Sequence, residues 1–370
     1  MVTVKRKELG DFMVFLNNAA KTLQKPEGVK NAAPATEAQA KALTAKLFCM
    51  KNPENVILTH SGSQAMELAL RAFIKKGDHI ILSVMDVDAT WKLAEDLAAV
   101  HGVEVSPLGV NVYGVLEYDK IETLIRPNTR AIVCAHGCSV TGNIADMDRL
   151  TTIARRHKLL VISDGCQTAG AAEVRLEDLG VDVYCFTGYK KLMGPKGVGG
   201  ICLKEGLMEQ FKEGLVPVLE EKPELAEALK PVDPAKLGGY CAGLEYIFEK
   251  GIYGISMLPH RLAKRFFEAT KSMDAVEVYG DFGTNTKIAT VSIRVDGFTP
   301  EQVAEHMLKN FGIVCKAGLH DSSRMHEALG TAEHGLTRFS FGYFNDRMEV
   351  NDTIWALMDL LGLEDLYLLA

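Results

Sequence analysis

Short apolar runs alternate with amphipathic segments between residues 54 and 205. The first two runs are "NVILTH" and "HIILSV", and each precedes a helix-like stretch, "SQAMELALRAFIKK" or "ATWKLAEDLAAVHG". Four later runs are short and nearly continuous in apolar residues: "RAIVCAH", "LLVISDG", "VDVYCFTG" and "GVGGICL". Continuous apolar runs indicate strands that are buried on both faces. The pattern predicts an α/β fold with a mostly parallel central sheet and helices on both faces.

The pattern changes after residue 214. Residues 215–239, "LVPVLEEKPELAEALKPVDPAKLGG", hold four prolines and many charges, which favour a connection between domains or a loop over the active site. Two helices are predicted next, over "YCAGLEYIFEKG" and "SMLPHRLAKRFFEATKSM". The remaining segments follow the order β-α-β-β-α, with Thr299 as a candidate N-cap. We therefore expect a large domain over 31–240, and linking helices with a small C-terminal α+β domain over 241–370.

Composition excludes several classes of protein. The 370 residues are 47% hydrophobic and carry a net charge of −7 without a dense Lys/Arg run, so neither a nucleic-acid partner nor a membrane partner is expected. No apolar stretch has the length of a membrane span, and the charged N-terminus does not resemble a signal peptide, so we expect a cytoplasmic protein. The eight cysteines form no CxxC pair, which predicts reduced thiols and no metal site.

Polar residues follow three of the predicted strands, where open α/β sheets bind their ligands. In "THSGSQAMELAL" a strand ends at Thr59 and a helix starts near Ser63, which creates an anion site, although the same residues also make an ordinary helix cap. Asp164 ends the strand "LLVISD", where a carboxylate must be paired or functional, or caps a turn.

The third polar cluster lies in "FTGYKK", where Thr187 and Lys190 follow a strand. Lys190 and Lys191 could each belong to a solvated basic loop when considered alone. Together, an anion site, an aspartate for a pyridinium nitrogen and a lysine for a Schiff base are what pyridoxal 5′-phosphate (PLP) requires. The three clusters therefore predict a PLP site.

The chain resembles the class V aminotransferases, which are fold type I PLP enzymes, and among them the cysteine desulfurases and selenocysteine lyases. The most specific motifs are "DGCQTAG", "FTGYKKLMGPKGVGG" and "RFSFGYFN". The resemblance implies that Lys190 forms the Schiff base and that the N-terminal segment, 1–30, lines the active site of a homodimer. It also implies cofactor contacts by Asp164, Gln167, Ser63, Gln64, Thr187 and Tyr189, and substrate contacts by Arg338 and Asn18.

The chain departs from the pattern of that family at several positions. Val87 stands where a histidine usually stacks on the cofactor, Ser139 where an asparagine is usual, and Tyr189 where a histidine is usual. In "AGLHDSS" the position of the desulfurase cysteine is Asp321, and a carboxylate cannot carry a persulfide. The Gly-Thr segment by which a neighbouring subunit usually contacts the phosphate is missing before Gly239.

Three functions are compatible with these residues. The first is cleavage of a C–S or C–Se bond of a small amino acid without the usual persulfide cysteine, with Asp321 or His320 as the acid and with an unidentified sulfur or selenium acceptor. The second is a class V aminotransferase, which would depend on an amino acceptor. The third is a catalytically degenerate, PLP-binding scaffold. The departures at Val87, Ser139 and Asp321 favour this function, and the presence of Lys190 together with Asp164 disfavours it.

Overall fold

The computed structural model of the chain describes residues 13–283 and 287–363. Residues 1–12, where the predicted N-terminal segment begins, lie outside the described part, as do 284–286 and 364–370 of the predicted small domain. The strands are β1 (Val14–Phe15), β2 (Val56–Thr59), β3 (His79–Ser83), β4 (Glu104–Leu108), β5 (Thr129–Ala135), β6 (Leu160–Asp164), β7 (Val183–Thr187), β8 (Gly199–Leu203), β9 (Val276–Tyr279), β10 (Thr290–Val295), β11 (Ile313–Val314), β12 (Lys316–Gly318) and β13 (Leu336–Ser340).

Helices connect most of these strands. They are α1 (Glu27–Lys30), α2 (Glu37–Leu47), α3 (Gly62–Phe73), α4 (Asp88–His101), α5 (Ile121–Leu124), α6 (Met147–Arg156), α7 (Leu176–Leu179), α8 (Met208–Glu221), α9 (Pro234–Lys250), α10 (Ile252–Thr270), α11 (Pro300–Phe311), α12 (Ser323–Ala328) and α13 (Arg347–Leu360). No helix among the described residues combines the length and the apolarity that a membrane span needs.

The large sheet has seven strands in the order β2-β8-β7-β6-β5-β3-β4. Strands β7, β6, β5, β3 and β4 are parallel neighbours, and β8 alone runs opposite, pairing antiparallel with both β7 and β2. The predicted α/β fold with a mostly parallel sheet is thus confirmed. Because parallel strands end at the same edge, the residues at the ends of β3, β5, β6 and β7 meet there. Direct pairing places Ala135 beside Asp164, and Asp164 beside Cys185.

A second sheet, of order β12-β13-β10-β9, is antiparallel throughout. Helices α10, α11 and α13 pack around it, and the buried rings of Phe266, Phe339 and Phe341 lie in its core. Strand β1 pairs in parallel with β11, and the Asn18 backbone N–H donates to the Ser340 carbonyl. These contacts bind residues 14–18 to the small sheet, next to the loops that end the large one.

Residues 215–239 are mostly helical, which corrects the predicted loop, while the alternative of a connection between domains stays a prediction. Helix α8 continues to Glu221, a 3-10 helix covers Pro223–Leu229, and α9 begins at Pro234. Proline is favourable in the first turn of a helix, because a backbone N–H at that position would have no partner within the helix. The Asp233 side chain caps this end by accepting from Ala235 N. Helix α9 also runs through the predicted domain boundary at 240/241, and its Leu237, Tyr240 and Leu244 belong to the core of the large sheet.

Candidate functional site

A cavity of about 390 Å³ opens where the strands of the large sheet end. Its wall is built by the start of α3, the β3–α4 connection and the segments that follow β5, β6 and β7. The nine residues predicted to contact the cofactor all line it: Ser63, Gln64, Val87, Ser139, Asp164, Gln167, Thr187, Tyr189 and Lys190. The fold brings these residues together, while their contacts with a cofactor stay a prediction.

One end of the cavity has the groups that bind a phosphate. Ser61 is the N-cap of α3, and its Oγ accepts from Gln64 N at 3.2 Å. The helix begins at Gly62, one residue before the start predicted near Ser63. Thr187 is 3% exposed, and its Oγ1 has no hydrogen-bond partner among the residues that the structure describes. A buried polar atom without a partner is rare in proteins, and a helix N-terminus favours an anion. This end of the cavity therefore fits the phosphate of PLP.

Gly62 brings this helix close to the strand ends. A Cβ atom there would lie 2.4 Å from Cys166 Sγ and 3.2 Å from Thr187 Cβ. Only glycine lets α3 begin at this distance, so the helix N-terminus and the hydroxyl of Thr187 face the same space.

Two carboxyl groups lie at this edge of the sheet, that of Asp164 in the cavity wall and that of Asp86 behind the wall. Asp164 Oδ1 accepts from Cys166 N at 2.8 Å, and its carboxylate reaches the cavity. Behind it, Asp86 is fully buried; Oδ2 accepts from Ala135 N at 2.8 Å, while Oδ1 has no hydrogen-bond partner in the described part of the chain. Burial and the neighbouring Asp164 raise the pKa of Asp86 to about 8. Asp86 is therefore protonated at neutral pH and adds no second negative charge beside Asp164.

The two adjacent lysines have different surroundings. Lys190 lines the cavity, and the carbonyl of Tyr189 accepts from Lys25 Nζ at 2.5 Å, which ties the N-terminal segment to this loop. Lys191 Nζ donates instead to Gln167 Oε1 at 3.0 Å. Burial, followed by the charges of Lys190 and Arg338, lowers the pKa of Lys191 to about 7. Lys190 therefore lines the cavity, whereas the amine of Lys191 is hydrogen-bonded to Gln167.

Arg338 lies on β13 and is 2% exposed. Its Nη1 donates to the Ser139 carbonyl at 3.0 Å and its Nη2 to Asn17 Oδ1 at 3.3 Å, while Nε has no partner within 13–283 and 287–363. Burial lowers the pKa of Arg338 only to about 10, so the guanidinium stays charged at neutral pH. A buried cation with an unused donor fits a carboxylate ligand.

Asn18 does not face the cavity, contrary to the predicted role in substrate binding. Its Nδ2 donates to the carbonyls of Phe15 and Ser340 and to Asn345 Oδ1. These bonds fasten the N-terminal segment to the small domain. The neighbouring Asn17 is the residue that contacts Arg338, and two adjacent asparagines cannot be distinguished from the sequence alone.

The predicted acids His320 and Asp321 both have left-handed backbone angles, with φ of 57° and 58°. His320 is buried, and its ring nitrogens pair with the Lys316 carbonyl and His326 Nε2. Burial, with Arg338 as the next cause, lowers the pKa of His320 to about 2. The Asp321 side chain is 81% exposed and bonded to Lys316 Nζ at 2.9 Å, which lowers its pKa. At neutral pH His320 is therefore a neutral imidazole and Asp321 is ionised, so the predicted role as an acid does not fit either of them.

Two further thiols of this region are poor nucleophiles. Cys166 lines the cavity, and burial together with Asp164 raises its pKa well above the ordinary value. Cys315 lies on the segment before the loop, and burial raises its pKa to about 12. Among sequence signals, only the strand-end position of "DGC" could have indicated that Cys166 reaches the cavity.

Comparisons with known proteins agree with this fold. The model of the family Aminotransferase class-V matches residues 14–352. The chain is 25% identical over 321 residues to the cysteine desulfurase of Haloferax volcanii, which covers 82% of this chain and 74% of the relative. It is also 25% identical over 325 residues to the probable cysteine desulfurase of Pyrococcus abyssi, covering 83% and 79%. These matches confirm the resemblance inferred from the motifs.

Two solved structures have a similar fold. The apo structure of a cysteine desulfurase from Thermococcus onnurineus superposes with a TM-score of 0.85 and 22% identity, covering 95% of each chain. The structure of a C-DES mutant, which has glycine covalently linked to its PLP cofactor, has a TM-score of 0.79 and 17% identity, covering 96% of this chain and 98% of that one. Both similarities concern the fold.

Proposed function

Because the chain belongs to the aminotransferase class-V family, whose cofactor is PLP, we propose that it cleaves a C–S or C–Se bond of a small amino acid without storing the released atom on a loop cysteine. The observation that supports the proposal is the state of the loop residues, a buried His320 and an Asp321 held ionised by Lys316, beside the cavity that the nine predicted cofactor residues line.

Different residues would bind different parts of PLP and of the substrate. The N-terminus of α3 and Thr187 Oγ1 would hold the phosphate, Asp164 the ring nitrogen and Gln167 the phenolic oxygen. Val87 would pack on the ring, Tyr189 would border the phosphate, and Arg338 would bind the substrate carboxylate. When bound, PLP supplies a cationic ring that accepts the electrons left on the α-carbon after deprotonation.

Lys190 is the base of the proposed reaction. Its Nζ would take the proton from the α-carbon of the substrate, because it lines the cavity whereas the amine of Lys191 is held by Gln167. A base positioned at the reacting atom contributes typically ~10²–10⁴-fold in rate.

The missing acid selects the leaving group. A thiol has a pKa of about 8.5, so a sulfur atom can leave as an anion near neutral pH. An alkoxide leaving group would need a proton from an acid such as a histidine. His320 cannot supply one, because its pKa is lowered to about 2, and Asp321 cannot either, because Lys316 keeps it ionised. The proposal therefore favours sulfur or selenium over oxygen at the β-carbon.

A persulfide intermediate is not favoured. It needs a thiolate that can reach the substrate, and reactive cysteines have lowered pKa values. The opposite holds for Cys166, the thiol in the cavity wall. With L-cysteine, elimination would then break the Cβ–S bond and use one water, giving pyruvate, ammonium and sulfide in equal amounts.

The test is a product analysis of the PLP-loaded protein with L-cysteine, L-selenocysteine and L-alanine. We expect equal amounts of pyruvate and of sulfide or selenide from the first two amino acids and nothing from alanine. The Lys190→Ala variant should release neither, and Lys212→Met, on the exposed side of α8, should match the wild type. Alanine as the product with protein-bound persulfide, a strict need for a 2-oxo acid acceptor, or no turnover by loaded protein would each refute the proposal.

The proposal includes a two-fold homodimer in the cytoplasm, with the N-terminal segment beside the site. Closed two-fold symmetry is the commonest arrangement of identical chains. Light scattering of the loaded protein at several concentrations would test it, since a monomer at all of them would contradict this part.

A further inference from the structure

The amine of Lys191 has no carboxylate partner. Its Nζ donates to Gln167 Oε1, and none of the ion pairs formed by the described residues includes Lys191. The nearest charges that act on it, Lys190 and Arg338, are both positive. Burial and these two charges disfavour the ammonium form of Lys191, so its amine is an unusual group beside the cofactor site, and its one side-chain partner in the described part of the chain is Gln167.

The partners of Gln167 fix the orientation of its amide. The carbonyl of Ala19 can only accept a hydrogen bond, and the amine of Lys191 acts as a donor toward Gln167. Gln167 therefore presents Oε1 to Lys191, at 3.0 Å, and Nε2 to Ala19 O, at 3.0 Å. The amide nitrogen carries a second N–H, and Gln167 lines the main cavity. A flipped amide would set donor against donor and acceptor against acceptor.

We propose that Lys191 is a positioning residue that locks the Gln167 amide with its N–H donor available to the cofactor. The backbones of the two loops are built for this contact: Gly170 has φ of 80°, and a Cβ atom there would lie 2.4 Å from the Lys191 carbonyl oxygen. The loop that carries Gln167 thus rests directly on the backbone of Lys191. The inference rests on the bound PLP of the proposed function, and it does not depend on which bond of the substrate is cleaved.

The test is a double-mutant cycle with Lys191→Met and Gln167→Ala. The two readouts need no substrate: the dissociation constant of PLP, titrated by absorbance, and the pH midpoint of the visible band of the loaded protein. Each single variant should raise the dissociation constant about two- to tenfold, as expected for one lost hydrogen bond. Both should move the pH midpoint in the same direction.

Non-additivity decides the result. If Lys191 acts through Gln167, Lys191→Met will have no further effect in the Gln167→Ala background. Effects that add in the double variant would overturn the proposal, as would an unchanged spectrum and affinity in Lys191→Met. Lys191→Leu repeats the cycle should the methionine variant unfold, and Lys212→Met is the control for a lost surface charge.

The cycle and the product analysis can fail separately. A non-additive cycle without sulfide release would refute the proposed reaction and leave Lys191 as a positioning residue. Additive effects with sulfide release would refute the role of Lys191 alone.

Discussion

Replacing Thr187 with valine should maintain or raise the stability of the apo protein and should weaken the binding of PLP. Thr187 is 3% exposed, and no described residue pairs with its Oγ1, so the apo protein bears the cost of a desolvated hydroxyl. Removing such a group relieves a penalty of about 1–3 kcal/mol, and valine keeps the branched shape. The free energy of unfolding of the apo protein should therefore stay equal or rise by about 1 kcal/mol, measured by urea denaturation.

Cofactor binding should weaken in the same variant. A hydrogen bond to a charged group such as phosphate contributes about 1.5–3 kcal/mol, which corresponds to about a 10- to 150-fold rise in the dissociation constant. Absorbance titration of the apo variant with PLP measures this rise.

Thr290→Val is the matched control. Thr290 Oγ1 is also buried and has no partner among the described residues, but it lies on β10, away from the main cavity. It should give the same gain in stability without the loss of affinity. If Thr187→Val lowered the stability of the apo protein and left the PLP affinity unchanged, the assignment of Thr187 to the phosphate would be refuted.

Two further substitutions test the surroundings of the site. Gly62→Ala should destabilise the protein by about 1–3 kcal/mol and weaken PLP binding, because the new methyl group would lie 2.4 Å from Cys166 Sγ. Adding Cys166→Ala should recover much of the lost stability and affinity. A double variant without any recovery would contradict the clash. Asp86 has a pKa raised to about 8, so the folded protein keeps a proton that the unfolded chain loses above about pH 4. Its contribution to the free energy of unfolding thus declines as the pH rises through this window, by at most about 1.4 kcal/mol per unit. Asp86→Asn should lack that decline in urea unfolding between pH 5 and pH 8, and parallel declines in both proteins would count against a neutral Asp86.

The sequence was sufficient to predict the sheet and the wall of the cavity. Buried parallel strands are recognisable from their apolar runs, and their ends must share one edge, so the proximity of Asp164 and Thr187 follows from the sequence alone. The same reasoning could not identify the cap of α3, because Ser61 and Ser63 have the same side chain and only the helix start separates them.

Contacts between distant segments decided the residues that the sequence could not assign. Asn18 and Asn17 differ only in what they meet, which is Asn345 for one and Arg338 for the other, both more than 300 positions away. His320 is a plausible acid from its residue type, and its burial against His326 became visible only in the fold. The proline-rich residues 215–239 favoured a loop, yet Pro234 starts a helix and Pro217 lies inside one.

The most direct test of this account asks which lysine carries the cofactor. The PLP-loaded protein would be reduced with borohydride, digested, and mapped by mass spectrometry for the peptide that holds the cofactor. The account predicts the modification on Lys190, whose side chain lines the cavity, with Lys191 unmodified. Modification of Lys191, or an unmodified "FTGYKK" peptide from protein saturated with PLP, would contradict it.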